Sequence, residues 1–246
     1  LDALGDSEQM VASGHYAVVE EEESGRRRLR RSPDPVKDES YFLFLVSQQQ
    51  LRRILFPSGE LKKEEVRRLA GDLDLPNRDR PDSQGICFLG KIRYPEFVRY
   101  YLGEREGEIV EAETGVTLGS HQGSWFYTIG QRQGLGLGNG PWYVVDKDVE
   151  ANVVYVSHAD TVSQRARRTL TIGELTWLTE EPGGSRFLTK LRHGPALTPV
   201  TVERREGESG MVMDLTLDEA DRGIAPGQFA VLYDGEYCLG GGTILA

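Results

Sequence analysis

Cys87 is one of two cysteines in a chain of 246 residues, and its surroundings suit a reactive thiol. It lies in Asp82-Ser-Gln-Gly-Ile-Cys-Phe-Leu-Gly90, a turn-rich stretch at the end of a polar loop. Nearby glycines give the backbone freedom for a substrate to approach, and thiol reactivity depends on access and thiolate character. Cys87 is therefore a candidate reactive group. The alternative is a small buried side chain between Ile86 and Phe88.

Two further segments have residue types that suit binding of a phosphate or a flat ligand. Gly14, in Ser13-Gly-His-Tyr16, follows a strand-like apolar segment, where a glycine lets the backbone approach a nucleotide at the carboxyl end of a strand. Lys37-Asp38-Glu39 opens a predicted helix, where the dipole favours acidic side chains and backbone N–H groups can meet a phosphate. Taken alone, Gly14 is equally compatible with a tight turn.

The composition, 38% hydrophobic and 28% charged residues, is ordinary for a globular protein that folds in water. No apolar run approaches the roughly 20 residues that cross a bilayer, and the first residues lack the pattern of a signal peptide. We therefore expect no membrane association. The two cysteines and four histidines show no disulfide or metal-ligand spacing, so we expect a reducing compartment and no structural metal.

The net charge of −10 argues mildly against a nucleic-acid partner, because Lys and Arg supply most non-specific affinity for phosphates. The distribution leaves room for a basic face. Basic residues cluster at 26–31, 52–53, 62–63, 67–68 and 165–168, while acidic residues concentrate at 20–23 and 214–221. The alternative is that these clusters are solvated faces whose charges are paired.

The hydrophobic pattern divides the chain into three parts: an α/β portion over 1–90, a small β-rich domain over 91–158 and a β-barrel over 159–246. In the first part, Tyr41–Ile54 is predicted to be one helix, and Val66, Leu69, Ala70 and Leu73 follow the period of a second, amphipathic helix. A charged hairpin or loop is expected between them and the Gly14 segment.

Short extended segments punctuated by turns predict the two β-rich parts. A short helix is expected over 95–101, followed by strands at 108–110, 125–128, 143–146 and 153–156. Beyond residue 160, strands are predicted at 169–175, 200–203, 212–217 and 229–233, a spacing typical of a closed barrel.

Five motifs, in order along the chain, closely resemble those of the tRNA-specific 2-thiouridylases. They are Gly14-His-Tyr16, Lys37-Asp-Glu-Ser-Tyr-Phe42, Ser83–Gly90, Gly130-Gln-Arg-Gln-Gly-Leu-Gly136 and Trp142-Tyr-Val-Val-Asp-Lys-Asp148. These enzymes use ATP to replace the C2 oxygen of the wobble uridine by sulfur. The resemblance implies a PP-loop α/β domain, a central tRNA-binding domain and a C-terminal β-barrel, and it covers essentially the whole chain.

The resemblance also implies roles for individual residues. Cys87 matches the cysteine that carries sulfur as a persulfide, and Gly14 matches a glycine at the ATP site, where Mg-ATP is expected. Lys37, Asp38 and Glu39 match a segment that contacts tRNA. The family usually has Gln at position 39, and a carboxylate accepts hydrogen bonds but cannot donate them.

Arg192 and His193 align with a barrel pair that touches tRNA in the family, where an aromatic such as Tyr is more common at position 193. A histidine can still stack on a base or sugar. The glycine-rich stretch 134–140 is not a dinucleotide fingerprint, because its spacing is wrong and it leads into a strand, so a tight or mobile loop is expected. Cys238, at the end of an apolar strand, is predicted to be an inert core thiol.

The mechanism implied by the resemblance activates the uridine oxygen with ATP and takes sulfur from a Cys87 persulfide. A second cysteine would free that sulfur and form a disulfide with Cys87. The expected partners are tRNA and a sulfur-donor or relay protein, in the bacterial cytoplasm or in an organelle matrix.

The family's ATP-binding Ser-Gly-Gly-Val-Asp-Ser loop and first cysteine are not found in the sequence. We therefore expect a fragment that is inactive alone, with a barrel and a middle domain that bury their own cores. The alternatives are a non-catalytic tRNA-binding protein and another ATP-dependent nucleotide-modifying enzyme of related fold.

Overall fold

The computed structural model describes residues 10–79, 94–208 and 210–245, which fall into two compact units. The first unit draws its described residues from the ranges Leu1–Arg80, Arg168–Glu219 and Ala225–Ala246. The second draws its residues from Pro81–Arg167 and Ala220–Ile224. The N-terminal portion and the C-terminal portion of the chain therefore belong to one unit.

Six strands of the first unit close into a barrel, as the alternating pattern predicts. The strands are β9 (Arg167–Trp177), β10 (Arg186–Lys190), β11 (Thr198–Gly207), β12 (Gly210–Asp221), β13 (Phe229–Asp234) and β14 (Tyr237–Ile244). Around the barrel the order is β13-β10-β11-β12-β9-β14, and pairing of β13 with β14 closes it.

The run Gly240-Gly-Gly242 makes this closure possible, because β14 runs close to the backbone of its two neighbours. A Cβ at Gly241 would lie 2.2 Å from the carbonyl oxygen of Ala230 in β13. A Cβ at Gly240 would lie 2.1 Å from the carbonyl oxygen of Thr176 in β9. Glycine is the residue that permits such close backbone approach, so larger residues here would displace the closing strand.

A charged hairpin from the N-terminal portion extends the barrel sheet. It consists of β2 (Ala17–Glu21) and β3 (Arg27–Arg31), and β3 pairs antiparallel with β14 through Leu29 opposite Cys238. Two short strands, β1 (Val11–Ala12) and β4 (Ile54–Leu55), pair in parallel, as expected in an α/β domain.

The single helix predicted over Tyr41–Ile54 is wrong, because the segment breaks into three elements. A 3₁₀ turn covers Ser40–Leu43, helix α1 covers Gln48–Leu51, and β4 follows. Ser47 starts α1 by accepting a hydrogen bond from the Gln50 N–H, and the Gln50 side chain accepts one from the Ser47 N–H in return. This capping box begins a new helix inside the apolar period. The second predicted helix is confirmed as α2 (Lys63–Asp72).

The core beneath the hairpin contains residues from both ends of the chain, so the N-terminal portion covers part of the apolar surface of the barrel. Its buried members are Ala17, Leu29, Tyr41, Phe44, Leu51, Leu178, Val231, Tyr233 and Cys238. Buried apolar area is the main favourable term in folding. Removing the N-terminal residues would therefore expose apolar area on the barrel.

The elements of the second unit are α3 (Tyr94–Leu102), β5 (Gly107–Glu111), β6 (Thr117–His121), β7 (Trp142–Asp148), β8 (Val153–His158) and α4 (Ala159–Val162). Its strands form a four-stranded sheet of order β6-β5-β8-β7, in which only the β5–β8 pair is parallel. The strand predicted over 125–128 is wrong, since a 3₁₀ turn covers Ser124–Phe126. Leu135, in the glycine-rich loop, is buried in the core with Ile109 and Val154.

Candidate functional site

An ion pair joins two segments of the first unit that are distant in the sequence. The loop that follows β3 contains Lys37, Asp38 and Glu39, and β10 ends at Lys190, just before Arg192 and His193. Lys190 Nζ lies 2.6 Å from Asp38 Oδ2, and neither side chain has any exposed surface. The structure therefore brings together two segments to which the sequence assigns tRNA contact.

Asp38 is the centre of a buried polar cluster. Its Oδ2 also accepts a hydrogen bond from Arg31 Nε at 3.0 Å, and its Oδ1 accepts from the backbone N–H groups of Ser32 and Ser40, each at 3.3 Å. Burial opposes ionisation of this carboxyl, but the hydrogen bond and charge of Lys190, with the other donors, hold the pKa of Asp38 below its usual value. Asp38 is thus an ionised anchor, and its carboxylate has no exposed surface.

The surface above this cluster presents two aromatic rings and two basic residues. Phe42 is 59% exposed, and its ring stacks on His193 with centroids 5.1 Å apart and planes inclined by 15°. Arg192 is exposed, and Lys37 is half-buried on the loop just before Asp38. Flat rings beside cationic side chains suit a nucleic-acid strand, because bases stack on aromatics and phosphates attract cations.

Tyr41 connects the 3₁₀ turn that contains Phe42 to the backbone of the barrel. Its hydroxyl donates a hydrogen bond to the carbonyl oxygen of Phe229 at 3.1 Å, and lies 3.4 Å from that of Leu191. Burial raises the pKa of the Tyr41 phenol above its usual value. The hydrogen bond to Phe229 and the nearby charge of Arg192 lower this pKa by less, so the phenol remains a neutral donor. The 3₁₀ turn is thereby tied to the barrel.

Glu39 connects this surface to the segment that contains Gly14. The Tyr16 N–H donates to Glu39 Oε2 at 2.8 Å, and the Glu39 N–H donates to the Tyr16 carbonyl at 2.9 Å. The carboxylate acts only as an acceptor in this contact. The amide oxygen of Gln, which the family usually has here, could accept the same bond.

Gly14 is exposed at the end of β1. Among the described residues, apart from its two chain neighbours, no atom lies within 4 Å of the position that a Cβ on Gly14 would take. The neighbouring Ser13 hydroxyl and His15 Nδ1 lie 2.6 Å apart, which fixes the turn. The described residues therefore leave the backbone at Gly14 open to a flat ligand.

Of the two cysteines, Cys87 lies outside the described residues. Cys238 is buried in the shared core as a free thiol, as the sequence predicts. Burial raises its pKa to about 12, so the thiolate is scarce at neutral pH.

The arginines of the hairpin are paired with acids, so the alternative interpretation of the 26–31 cluster as paired charges is correct. Five arginines form these pairs: Arg26 with Glu180, Arg27 with Glu21, Arg28 with Glu22, Arg30 with Glu20 and Glu60, and Arg31 with Asp38 and Glu236. Their charge is largely compensated within the protein. The hairpin is therefore a weaker phosphate-binding surface than its sequence indicates.

In the second unit, the glycine-rich loop positions the Gln131-Arg132 motif. Gly130 N–H donates to the Val144 carbonyl at 2.7 Å, and Val144 N–H donates to the Gln131 carbonyl at 2.9 Å, which adds the loop to the edge of β7. The Gln131 side chain accepts from the Thr128 N–H and donates to the Gln133 carbonyl. Arg132 is left exposed on this turn.

Sequence reasoning did not identify Phe42, Lys190 or Arg31 as parts of the site. Phe42 lies inside a matched motif but was not assigned a role. Lys190 ends a strand of mixed character, and a buried lysine can be recognised only through its partner, since an unpaired buried charge is very costly. The partner Asp38 is too far away in the sequence to be inferred.

Within the described residues, no group of three His, Cys, Asp or Glu side chains has the arrangement of a metal site. Over the same part of the chain, the helices are too short or too polar to cross a membrane.

Three family models match successive parts of the chain. Residues 2–91 match a tRNA methyl transferase HUP domain, and residues 95–158 match a tRNA methyl transferase PRC-barrel domain. Residues 167–244 match an aminomethyltransferase beta-barrel domain. The closed barrel and the small central sheet agree with the last two descriptions.

Several curated bacterial proteins are similar over nearly the whole chain. A tRNA-specific 2-thiouridylase of Bacteroides thetaiotaomicron is 45% identical over 98% of this chain and 69% of its own length. One of Parabacteroides distasonis is 42% identical over 98% of this chain and 68% of its own length. Because identity at this level extends through all three matched domains, the chain belongs to the tRNA-specific 2-thiouridylase family.

Proposed function

We propose that this protein takes part in the 2-thiolation of the wobble uridine of tRNA, and that the surface formed by Lys37, Phe42, Arg192 and His193 contacts the tRNA. The observation that carries the proposal is the convergence of the Lys37–Glu39 loop and the Arg192–His193 turn through the Asp38–Lys190 ion pair. The relatives described as tRNA-specific 2-thiouridylases supply the reaction.

Each predicted residue has a distinct role in this proposal. Lys37 and Arg192 meet phosphates, and His193 stacks on a base or sugar. Asp38 does not contact the tRNA in this proposal, because its carboxylate is buried; it fixes the position of the loop that contains Lys37. Glu39 connects the tRNA surface to Gly14, which lies where the adenine ring of ATP would approach.

The chemistry that we propose follows the family. ATP supplies activation of the uridine C2 oxygen as an adenylate, which converts a poor leaving group into AMP. Cys87 carries the transferable sulfur as a persulfide, delivered by a sulfur-donor or relay protein. A second cysteine thiolate attacks the Cys87 sulfur of this persulfide and releases hydrosulfide, which adds to the activated C2 carbon and displaces AMP. That attack leaves a disulfide, which a cellular reductant opens.

We also propose the division into an ATP-binding portion over 1–90, a tRNA-binding domain over 91–158 and a barrel over 159–246. The three matched ranges support these boundaries. Since the relatives compared are bacterial, we place the reaction in the bacterial cytoplasm or, for an organellar version, in the matrix.

The test is to express the complete gene that encodes this chain in a bacterium that has lost its own 2-thiouridylase. We expect 2-thiouridine to reappear in tRNA, measured by nucleoside mass spectrometry, whereas the 246 residues expressed alone should restore none, because the ATP-binding loop and the second cysteine are not among them. Cys87→Ser should abolish the product without weakening tRNA binding, because a hydroxyl cannot hold a transferable sulfur. Tight tRNA binding with no thiolation in either strain would favour a non-catalytic tRNA-binding protein instead.

A further inference from the structure

Burial of the Asp38–Lys190 ion pair has a desolvation cost, and a gain in stability does not explain why the pair is buried. Both side chains have no exposed surface, so each charge has lost its hydration. Replacing a buried ion pair by well-packed apolar residues is often neutral or stabilising, whereas breaking one side of it is strongly destabilising. The pair therefore calls for a role that depends on geometry.

The position of the pair in the chain indicates such a role. Asp38 lies between Lys37 and Glu39, and Lys190 lies two residues before Arg192. An acceptor oxygen 2.6 Å from the ammonium fixes the two segments more closely than apolar contact does, because a hydrogen-bonded ion pair has preferred distances and angles.

Arg31 adds a second constraint to the same arrangement. Its Nε donates to Asp38 at 3.0 Å, and its Nη2 donates to the carbonyl of Pro195, just after His193, at 3.4 Å. One guanidinium thus spans the loop that contains Lys37 and the turn that contains Arg192. Such a planar donor group fixes direction as well as distance.

We propose that Lys190 and Arg31 are positioning residues for tRNA binding: through Asp38 they set the spacing between the Lys37 loop and the Arg192–His193 turn so that both engage one tRNA. This inference rests on the proposed function. Neither residue contacts the tRNA itself, since Lys190 is fully buried and Arg31 nearly so.

The experiment compares Lys190→Met, Asp38→Leu and the double variant with the unmodified protein. Stability is measured by urea unfolding, and affinity is measured by fluorescence anisotropy with an unmodified tRNA transcript that has uridine at the wobble position. The control is the double variant Arg186→Met/Asp218→Leu, which removes an ion pair that starts on the same strand but is 55% and 44% exposed.

We expect each single variant to lose stability and the double variant to recover most of it. The double variant should still bind tRNA roughly tenfold more weakly than the control, the loss expected for one misplaced charged contact. Recovery of both stability and affinity in the double variant would overturn the proposal, because apolar packing would then position the segments equally well.

A second measurement applies if the double variant does not fold. In Arg31→Gln, the buried pair of Asp38 with Lys190 remains, and we expect Arg192→Ala to weaken tRNA binding by less than about twofold, against roughly tenfold in the unmodified background. Equal losses in the two backgrounds would refute the positioning role. If the unmodified protein binds the tRNA no better than it binds an unrelated RNA of the same length, the proposed function fails and this inference fails with it.

Discussion

Phe42 and His193, far apart in the sequence, stack with ring planes inclined by only 15° and centroids 5.1 Å apart. One ring belongs to the N-terminal portion of the chain and the other to the barrel. The stack is exposed, so it offers a flat apolar face beside Arg192. An unstacked base could stack on this exposed face, as the proposed tRNA contact requires.

Phe42→Ala should weaken tRNA binding by about 5- to 160-fold, because stacking of one base on an aromatic contributes roughly 1–3 kcal/mol. Phe42→Trp should preserve binding, since the indole also presents a flat face. The matched control is Leu45→Ala, which removes a side chain that is 54% exposed close by in the sequence. Equal losses for Leu45→Ala and Phe42→Ala, measured by anisotropy, would contradict a specific stack.

The salt dependence of tRNA binding should separate the surface residues from the hairpin arginines. Lys37→Ala should reduce the slope of log affinity against log salt by about 0.7–0.9, the value for one lost phosphate contact. Arg27→Ala should leave the slope unchanged, because Arg27 is already paired with Glu21 at 2.6 Å. A change of slope in Arg27→Ala, measured by anisotropy between low and moderate salt, would place the hairpin on the tRNA path.

Glu39→Gln and Glu39→Ala should differ in stability. The alanine leaves the N–H of buried Tyr16 without its acceptor, which costs about 1–3 kcal/mol of unfolding free energy. The glutamine keeps an acceptor oxygen at the same place and should cost little. Urea unfolding monitored by tryptophan fluorescence distinguishes the two, and a glutamine variant as unstable as the alanine variant would show that the charge of Glu39 is needed.

Acid should destabilise the unmodified protein more than the Asp38→Leu/Lys190→Met double variant. The pKa of Asp38 is lower in the folded than in the unfolded state, so the unfolded chain binds the extra proton and stability falls as pH drops below about 4. The double variant lacks this group and keeps all the other acids. Urea midpoints measured from pH 6 to pH 3 should therefore converge, and parallel curves would contradict an ionised Asp38.

Cys238 should resist alkylation in the folded protein. Burial removes access, and a pKa of about 12 leaves little thiolate at pH 8. After treatment with iodoacetamide, peptide mass spectrometry should find Cys238 unmodified in native protein and fully modified in urea. Cys238→Ala should leave tRNA affinity unchanged, and rapid labelling of the native thiol would contradict the buried position.

Periodic patterns predicted much of the fold, and the errors have identifiable causes. The alternation in Val200–Glu203 predicted a barrel strand because that strand buries one face. The strand at Phe229–Tyr233 was also predicted, although its residues 230–233 are all buried. The prediction of one helix over Tyr41–Ile54 was wrong because the cap at Ser47 begins a new helix inside an apolar run. A local capping hydrogen bond of this kind leaves a weaker signal in the sequence than the hydrophobic periodicity that surrounds it.

Sequence motifs named the surface residues of the candidate site but not most of its buried residues. Lys37, Arg192 and His193 were named through a resemblance, and their contact with tRNA stays a prediction, while the structure brings their segments together. The pairing of Asp38 with Lys190 depends on barrel closure, a long-range event that leaves no local periodicity. A buried ion pair is visible only after the tertiary contact is known.

The pairing of β3 with β14 has a consequence for how such proteins can be recombined. A boundary drawn between the HUP-type portion and the barrel cuts through a continuous sheet, since Leu29 lies opposite Cys238 across it. A chimera that takes its barrel from one family member must take the hairpin from the same parent, or match its edge residues. The smallest unit that can be exchanged between relatives is therefore the barrel together with its hairpin, which is discontinuous in the gene.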